Sequence, residues 1–324
     1  MPPNPLPVRS PLGLLRLDFP HHDITAQAIM GKQFYLAEAR PGSRAQPDFA
    51  QALTVERLRG KLARPVQPFD PGQPSIPRVW DVLLGGKDNF TADRIQAGTL
   101  LDICPWLGHL ARQSRQFQAR AAAHVARHGI RQFIDLGCGL PTDPATHEIV
   151  QAIQPTAQVV YVDNDEQVII HARGLLEKAP GVLAIDGDLA CPDEITYDWR
   201  VRRALDFTQP IGLILAMTLH FFAPDTATAI TRQLISAVPP GSYLIASVGQ
   251  LDGPAAADFT RRYTPGRTWH HGPSDLAAFL HGLDLVPPGI TDARTWQPAT
   301  GPAPAAPGTG HVWAAVARKP AGPP

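Results

Sequence analysis

The chain has 324 residues, of which 44% are hydrophobic and 18% charged, and its 29 Lys and Arg are balanced by 29 Asp and Glu. That balance, with a pI near 7.2, supplies no basic surface for nucleic acid or for an anionic membrane face. The longest apolar run, Ile211 to Ala223, is interrupted by Thr218 and His220 and falls short of the roughly 20 residues a bilayer span needs. The start, Met-Pro-Pro-Asn-Pro, lacks the charged and then apolar pattern of a secretory leader. Cys104, Cys138 and Cys191 are odd in number and far apart, which fits neither a disulfide framework nor a CxxC metal pair and points to a reducing cytoplasm.

Proline divides the chain. Of 35 prolines, thirteen lie in residues 1–77 and nine in 287–324. Proline fixes φ and removes a backbone donor, so the core is expected between the two Pro-rich ends. Residues 1–72 read as a Pro-rich, partly helical extension and residues 73–324 as the main domain. In the extension, helix candidates run from Thr25 to Ala37 and from Phe49 to Leu62. The second places Phe49, Leu53 and Leu58 roughly on one face, with Arg57, Arg59, Lys61 and Arg64 towards its end.

The main domain opens with a short amphipathic helix, Arg78–Leu84, broken at Gly85-Gly86. A polar loop, Lys87 to Phe90, follows, and Thr91 is the expected N-cap of a helix to about Asp102. Gly108 to His128 carries Leu110, Phe117, Ala121 and Val125 at helical spacing, with Gly129 as a C-terminal cap. Strands and helices then alternate. Strand Arg131–Leu136 precedes a helix over Thr142–Ile153, capped by Thr142 or Asp143. Strand Gln158–Val162 precedes helix Glu166–Lys178, and strand Val182–Ile185 follows. Beyond them come strand Ile211–Met217, helix Asp225–Val238, strand Gly241–Val248, helix Pro273–His281 and a last strand, Val312–Ala317. This alternation predicts an α/β, doubly wound, largely parallel sheet with helices on both faces.

In such sheets ligands bind beyond the carboxyl ends of the strands. After the first strand stands Asp135-Leu136-Gly137-Cys138-Gly139-Leu140-Pro141-Thr142, where two glycines permit a tight turn and a close ligand approach. A pyrophosphate site prefers a third glycine; Thr142, preceded by Pro141, stands there instead, and Asp135 favours a cationic or hydroxyl-bearing partner. The second strand ends at Asp163-Asn164-Asp165, a place from which a carboxylate accepts ribose hydroxyls. The third ends at Asp186-Gly187-Asp188-Leu189, where a carboxylate can accept from an adenine amine. Singly, each has an ordinary alternative: Asp163 and Asp165 as helix caps, Asp186-Gly187 as a turn. Together, at consecutive strand ends, they describe a nucleoside-type cofactor lying across three strands.

These residues carry a resemblance. RVWDVLLGGKDNFTADR (Arg78–Arg94), RQFIDLGCGLPT (Arg131–Thr142), VVYVDND (Val159–Asp165), GDL (Gly187–Leu189), TLHFF (Thr218–Phe222) and GSYLIAS (Gly241–Ser247) resemble the actinobacterial S-adenosylmethionine-dependent methyltransferase family. The likeness covers Pro74 to Arg318, about three quarters of the chain, and leaves residues 1–72 outside it. It implies a Rossmann-like, seven-stranded class I sheet with the last strand antiparallel, S-adenosyl-L-methionine (AdoMet) as cofactor, and methyl transfer. It further implies that Asp135, Gly137 and Gly139 line the methionine moiety, that Asp163 with the neighbouring Asn164 holds the ribose, and that Asp188 and Leu189 read the adenine. Lys87, Asn89 and Phe90 would belong to a lid. Two departures concern the acceptor side: Cys138, where the family more often has a small polar residue, and a Pro/Ala/Gly-rich insert, Gln297–Thr309.

Methyl transfer from a sulfonium asks an enzyme mainly for orientation and desolvation, with a general base only when the acceptor loses a proton. His220, after the fourth strand and beside Phe221-Phe222, is the catalytic candidate; the alternative is a histidine packed beneath the Phe pair. Phe90, Phe221 and Phe222 are either sulfonium-facing rings or simple core. No metal site is expected: His124 and His128 lack a third ligand, and His270-His271 and His21-His22 are adjacent. GxSxG and P-loop patterns are absent from the sequence. Cys138 is expected to pack rather than react. The expected function is methyl transfer to a small-molecule acceptor, with no nucleic-acid or membrane partner. A non-catalytic AdoMet-binding module and an NAD(P)-dependent oxidoreductase stand as alternatives.

Overall fold

A computed structural model describes the backbone of three strands within residues 14–39, and residues 69–297 and 310–321. It forms two compact units, Met1–Pro68 and Phe69–Pro324. In the first, β1 (Leu14–Phe19), β2 (Ile24–Ile29) and β3 (Phe34–Ala39) pair antiparallel in sequence order, with Ile24 opposite both Phe19 and Ala39. This corrects the helix expected over Thr25–Ala37. Ile24, Thr25, Ile29, Phe34 and Tyr35 favour a pleated backbone, and Gly31 interrupts any helix across the stretch. The second expected helix, Phe49–Leu62, lies outside the described residues.

The second unit begins with three helices, α1 (Ile76–Leu84), α2 (Thr91–Ile103) and α3 (Leu107–Arg127). Gly85 ends α1 in the left-handed conformation (φ 84°), donating to the carbonyls of Asp81 and Val82, and Gly129 (φ 89°) follows α3 as expected. The start of α2 differs from expectation: Thr91 is its first helical residue and Phe90 its N-cap, because the Asp93 carboxylate accepts the Phe90 N–H at 2.8 Å.

The sheet contains β4 (Gln132–Leu136), β5 (Gln158–Asp163), β6 (Val182–Asp186), β7 (Gly212–Ala216), β8 (Tyr243–Leu251), two-residue strands β9 (Asp284–Leu285) and β10 (Thr291–Asp292), and β11 (Gly310–Arg318). Its order is β6-β5-β4-β7-β8-β11-β10, with β9 on a further stretch of β11. Strands β4 to β8 are parallel, and β11 runs antiparallel against β8 from Gly310↔Leu251 to Arg318↔Tyr243. The expected doubly wound sheet with an antiparallel last strand is present. Neighbouring strand residues face opposite cores. Phe133, Val159, Tyr161, Ile214 and Ile245 pack with Phe117, Ala121 and Val125 of α3. On the other face Ile134, Val160, Val162, Leu213 and Leu215 pack with Ile230 and Leu234 of a later helix, Pro224–Ser236. Burial on both faces explains why these strands are continuously apolar.

Helix α4 (Thr146–Gln151) starts four residues later than expected, with Glu148 accepting the Ala145 N–H at 2.7 Å. Thr142 is not its cap; the Thr142 hydroxyl accepts from Arg115 of α3 instead. Helix α5 (Glu166–Leu175) is capped by Asp165, which accepts the N–H of Gln167 at 2.9 Å. Short helices α6 (Pro192–Thr196) and α7 (Trp199–Ala204) precede β7, and Pro224–Ser236 is α8. Between β8 and β9 lie α9 (Gly253–Arg262) and α10 (Pro273–Phe279). Among the described residues no helix is long and apolar enough to cross a membrane.

Candidate active site

The order reverses at β4, which pairs with β5 on one side and β7 on the other, and a cavity lies beyond the carboxyl ends there. It is lined by Asp135, Gly137, Cys138 and Gly139 after β4, by Asp163 and Asn164 after β5, and by Gly187, Asp188 and Leu189 after β6. The turn after β7 adds Met217, Thr218, His220, Phe221 and Phe222, and α1, α2 and α3 cover it with Val79, Trp80, Leu83, Leu100 and Leu107.

The glycine loop is tied down at both ends. Gly137 (φ 70°) and Gly139 (φ 65°) adopt a conformation that side chains rarely take. The N–H groups of Gly137 and Cys138 donate to the Val162 carbonyl at 2.8 and 3.1 Å, and that of Gly139 donates to Asp163 Oδ2 at 2.9 Å. A Cβ on Gly137 would lie 2.3 Å from Thr218 Cγ2, so the loop and the turn after β7 meet there without room for a side chain. A Cβ on Gly139 would meet nothing within 4 Å, which leaves its backbone open to a ligand.

Asp163 Oδ1 accepts the Asp165 N–H at 3.0 Å. Each Asp163 oxygen therefore holds one backbone N–H and keeps a lone pair for a ligand hydroxyl. Burial raises this carboxyl to about 6, against the opposing pull of the Gly139 and Asp165 N–H groups. Asp165 is the cap and Asp163 is not, which separates the two roles the sequence left open.

Asp135 sits on a polar chain beneath the loop. Its Oδ2 accepts from Thr146 Oγ1 at 2.7 Å and from Gln118 Nε2 at 2.9 Å, and Arg115 Nη1 donates to Gln118 Oε1 at 2.6 Å. Burial raises the Asp135 carboxyl, opposed first by the Arg115 charge and then by the two hydrogen bonds. Cys138 is a buried thiol held well above its usual range by burial and by the charges of Asp163 and Asp135, so it packs and does not supply a thiolate.

Asp188 and Leu189 reach the cavity, while Asp186 is exposed and paired with Arg200 at 3.3 Å. Asp188 Oδ1 accepts the Ala190 N–H at 2.7 Å. His220 lines the cavity from a 3₁₀ turn, Leu219–Phe221. Its Nδ1 is buried without a hydrogen-bond partner, as are Thr218 Oγ1 and Thr268 Oγ1. Burial, then the nearby His271 and His270 rings, lowers His220 to about 3. His271 Nε2 holds the turn in place through the carbonyls of Leu219 and Phe222, at 3.2 and 3.0 Å. Met217 enters the turn with a left-handed backbone (φ 56°), a strained conformation for a side-chain-bearing residue.

The loop after α1 occupies a different place. Lys87 lines a neighbouring open cleft of about 560 Å³ shared with Arg112 and Thr142. Asn89 Nδ2 donates to Asp81 Oδ2 at 2.8 Å, and the Asp88 N–H donates to the same oxygen at 2.9 Å. Phe90 packs on Phe69 at 5.5 Å and against the Arg78 guanidinium. None of the three borders the cavity at the strand ends. Phe221 and Phe222 do, joined by Phe259 of α9 and by Tyr263 just after it, neither of which periodicity marks. Among the described residues no group of three His, Cys, Asp or Glu side chains forms a metal site, and His124 packs edge-on against Trp296 at 5.5 Å.

The residues fit AdoMet: an open glycine backbone, a carboxylate with free lone pairs beside it, and a second carboxylate beneath. Comparisons with known proteins agree. A structure from Thermobifida fusca YX, designated a candidate methyltransferase, is 36% identical over 80% of this chain and all of that one, with a TM-score of 0.74. A DUF574 family protein from Streptomyces avermitilis MA-4680 is 32% identical over 78% of this chain and 99% of its own, with a TM-score of 0.70. No curated protein matches the chain. The family described as S-adenosyl methyltransferase matches residues 63–320, most of the chain and all of the sheet. The chain belongs to that family and is an AdoMet-dependent methyltransferase.

Proposed function

We propose that the enzyme methylates a small molecule, and that Asp163 is the residue on which cofactor binding turns. The observation that carries this reading is the Asp163–Gly139 hydrogen bond, which joins the ribose-side carboxylate to the loop that approaches the ligand. When bound, AdoMet supplies a methyl group on a sulfonium. Asp163, with Asn164 beside it, accepts the ribose hydroxyls. Asp135, Gly137 and Gly139 border the methionine moiety, and Asp188 with Leu189 borders the adenine. Lys87, Asn89 and Phe90 act at one remove, by shaping the loop that closes α1 against α2.

His220 is proposed as the group that takes the proton from an O–H or N–H acceptor. It is neutral, its Nδ1 has no protein partner, it lines the cavity beside Phe221, and as a weak base, lowered to about 3, it takes a proton that methylation itself has made acidic. Residues 73–324 form the catalytic unit in this reading, with residues 1–72 as an extension. Three free cysteines support a reducing, cytoplasmic setting, and the even charge balance speaks against nucleic-acid acceptors. The test is calorimetric titration of AdoMet and NAD with wild type and Asp163→Ala, followed by transfer of a labelled methyl group with wild type and His220→Ala. AdoMet binding indifferent to Asp163 overturns the cofactor assignment. Transfer unchanged in His220→Ala removes His220 as the base.

A further inference from the structure

We propose that the part of the cavity beyond Thr218 is a subsite for an uncharged, planar, ring-bearing acceptor that carries a hydroxyl or N–H group. This rests on the AdoMet reading, which assigns the other part of the cavity to the cofactor. The charged side chains that line the cavity are Arg115, Asp135, Asp163 and Asp188. The three carboxylates stand at the ends of β4, β5 and β6, and Arg115 is engaged by Gln118 and Thr142. The lining from α1, from the turn after β7, from α9 and from Thr268 includes no Lys, Arg, Asp or Glu. A carboxylate or phosphate there would lose its hydration and gain no countercharge from a side chain.

The shape of the subsite is set by rings. Tyr263 lies between Phe221, at 6.1 Å and 30°, and Phe259, at 5.8 Å and 12°. His220 lies 4.2 Å from Phe221 but is tilted by 47°, at the end of this stack rather than within it. Nearly parallel rings offer flat faces and edges that a second planar system matches by offset stacking. Polar recognition is also present and unsatisfied. Thr218 Oγ1, His220 Nδ1 and Thr268 Oγ1 are buried, have no protein partner, and all belong to residues of this lining. Buried polar atoms are nearly always paired, so three orphans around one void mark the positions of ligand hydrogen bonds. The hydroxyls can donate or accept and the neutral imidazole can do either according to its tautomer.

The experiment uses the full chain and two probes of matched shape, 2-naphthol and 2-naphthoate, titrated calorimetrically at pH 7 with and without saturating S-adenosylhomocysteine. The expected result is that 2-naphthol binds at least tenfold more tightly than 2-naphthoate. Phe259→Leu and Tyr263→Leu, which keep apolar bulk but remove a ring, each weaken 2-naphthol at least fivefold and change S-adenosylhomocysteine affinity less than twofold. Equal or tighter binding of 2-naphthoate overturns the inference. So does S-adenosylhomocysteine binding with no naphthol binding, or naphthol affinity untouched by both substitutions. If S-adenosylhomocysteine itself fails to bind wild type, it is the cofactor reading that falls, and the comparison without it still decides the acceptor class.

Discussion

Asp163 Oδ2 and the Gly139 N–H are joined at 2.9 Å across 24 residues of sequence, so the carboxylate proposed to hold the ribose also fixes the loop beside it. Asp163→Ala removes both functions. A hydrogen bond to a charged group is worth about 1.5–3 kcal/mol, so AdoMet affinity is expected to fall roughly 10- to 100-fold, measured by calorimetry. Asp163→Asn keeps the acceptor oxygen and loses less.

The same carboxyl sets a pH dependence. Its value of about 6 means that the form able to accept ribose hydroxyls predominates above pH 6. Ligand hydroxyls favour that form, so S-adenosylhomocysteine affinity is expected to be flat above about pH 7. It should weaken by up to about tenfold per unit below 6. A profile that is flat down to pH 4.5 contradicts the assignment.

Gly137 and Gly139 are separable by substitution. Gly137→Ala forces a Cβ to 2.3 Å from Thr218 Cγ2 and places alanine at positive φ, and is expected to cost about 2–4 kcal/mol in denaturant unfolding. Gly139→Ala meets no neighbour and costs only the conformational penalty, about 1–2 kcal/mol. Its larger effect is on the cofactor, whose approach the new methyl obstructs.

Arg78 holds the covering helices together. Its Nε meets Asp93 Oδ2 at 2.8 Å with the two side chains 4% and 0% exposed, and its Nη1 donates to Gln167 Oε1 on α5 at 3.2 Å. Arg78→Met leaves a buried carboxylate without its partner, an expected loss of about 3–5 kcal/mol. Arg78→Met with Asp93→Asn recovers part of it, since no charge is then left buried and the amide oxygen still accepts the Phe90 N–H that caps α2, at the loss of the Ser75 N–H held by the other carboxylate oxygen. Urea denaturation of the two variants makes the comparison.

His220, lowered to about 3 by burial and the neighbouring rings, acts on stability in the acid range. Between pH 3 and its unfolded value near 6.5 the unfolded chain binds a proton that the folded chain does not, so this residue costs stability as pH falls through that window. His220→Asn is expected to lose up to about 3 kcal/mol less than wild type between pH 7 and pH 4. Asp163 works in the opposite sense between about 4 and 6, because there the folded chain holds the extra proton. The single variant isolates the histidine.

What was legible followed from locality. β4, β5, β6, β7, β8 and β11 carry largely apolar runs, and the helices between β4 and β8 announce the parallel part of the sheet. β9 and β10 have two residues each and carry no pattern to read. The Thr25–Ala37 stretch misled because Ala, Gln and Met favour helix locally, whereas β2 finds its partners in other segments. In the site, the carboxylates and glycines were readable because they end strands. Gln118, Arg115 and Thr146 reach Asp135 from α3 and α4, and no spacing in the sequence links them to it. Phe259 and Tyr263 left a faint signal, an apolar series with Ala256 at helical spacing over α9 and its C-cap.

The loop between α1 and α2 takes its shape from one carboxylate. Asp81 receives both the Asp88 N–H and the Asn89 amide, and a Cβ on Gly86 would fall 1.9 Å from Asp81 Oδ1. Gly86, Asp88 and Asn89 thus answer to the one carboxylate of Asp81, the first by its missing side chain, the second by its backbone N–H and the third by its amide. A change at Asp81 therefore acts on the loop at three points at once, two bonds released and one close approach relieved.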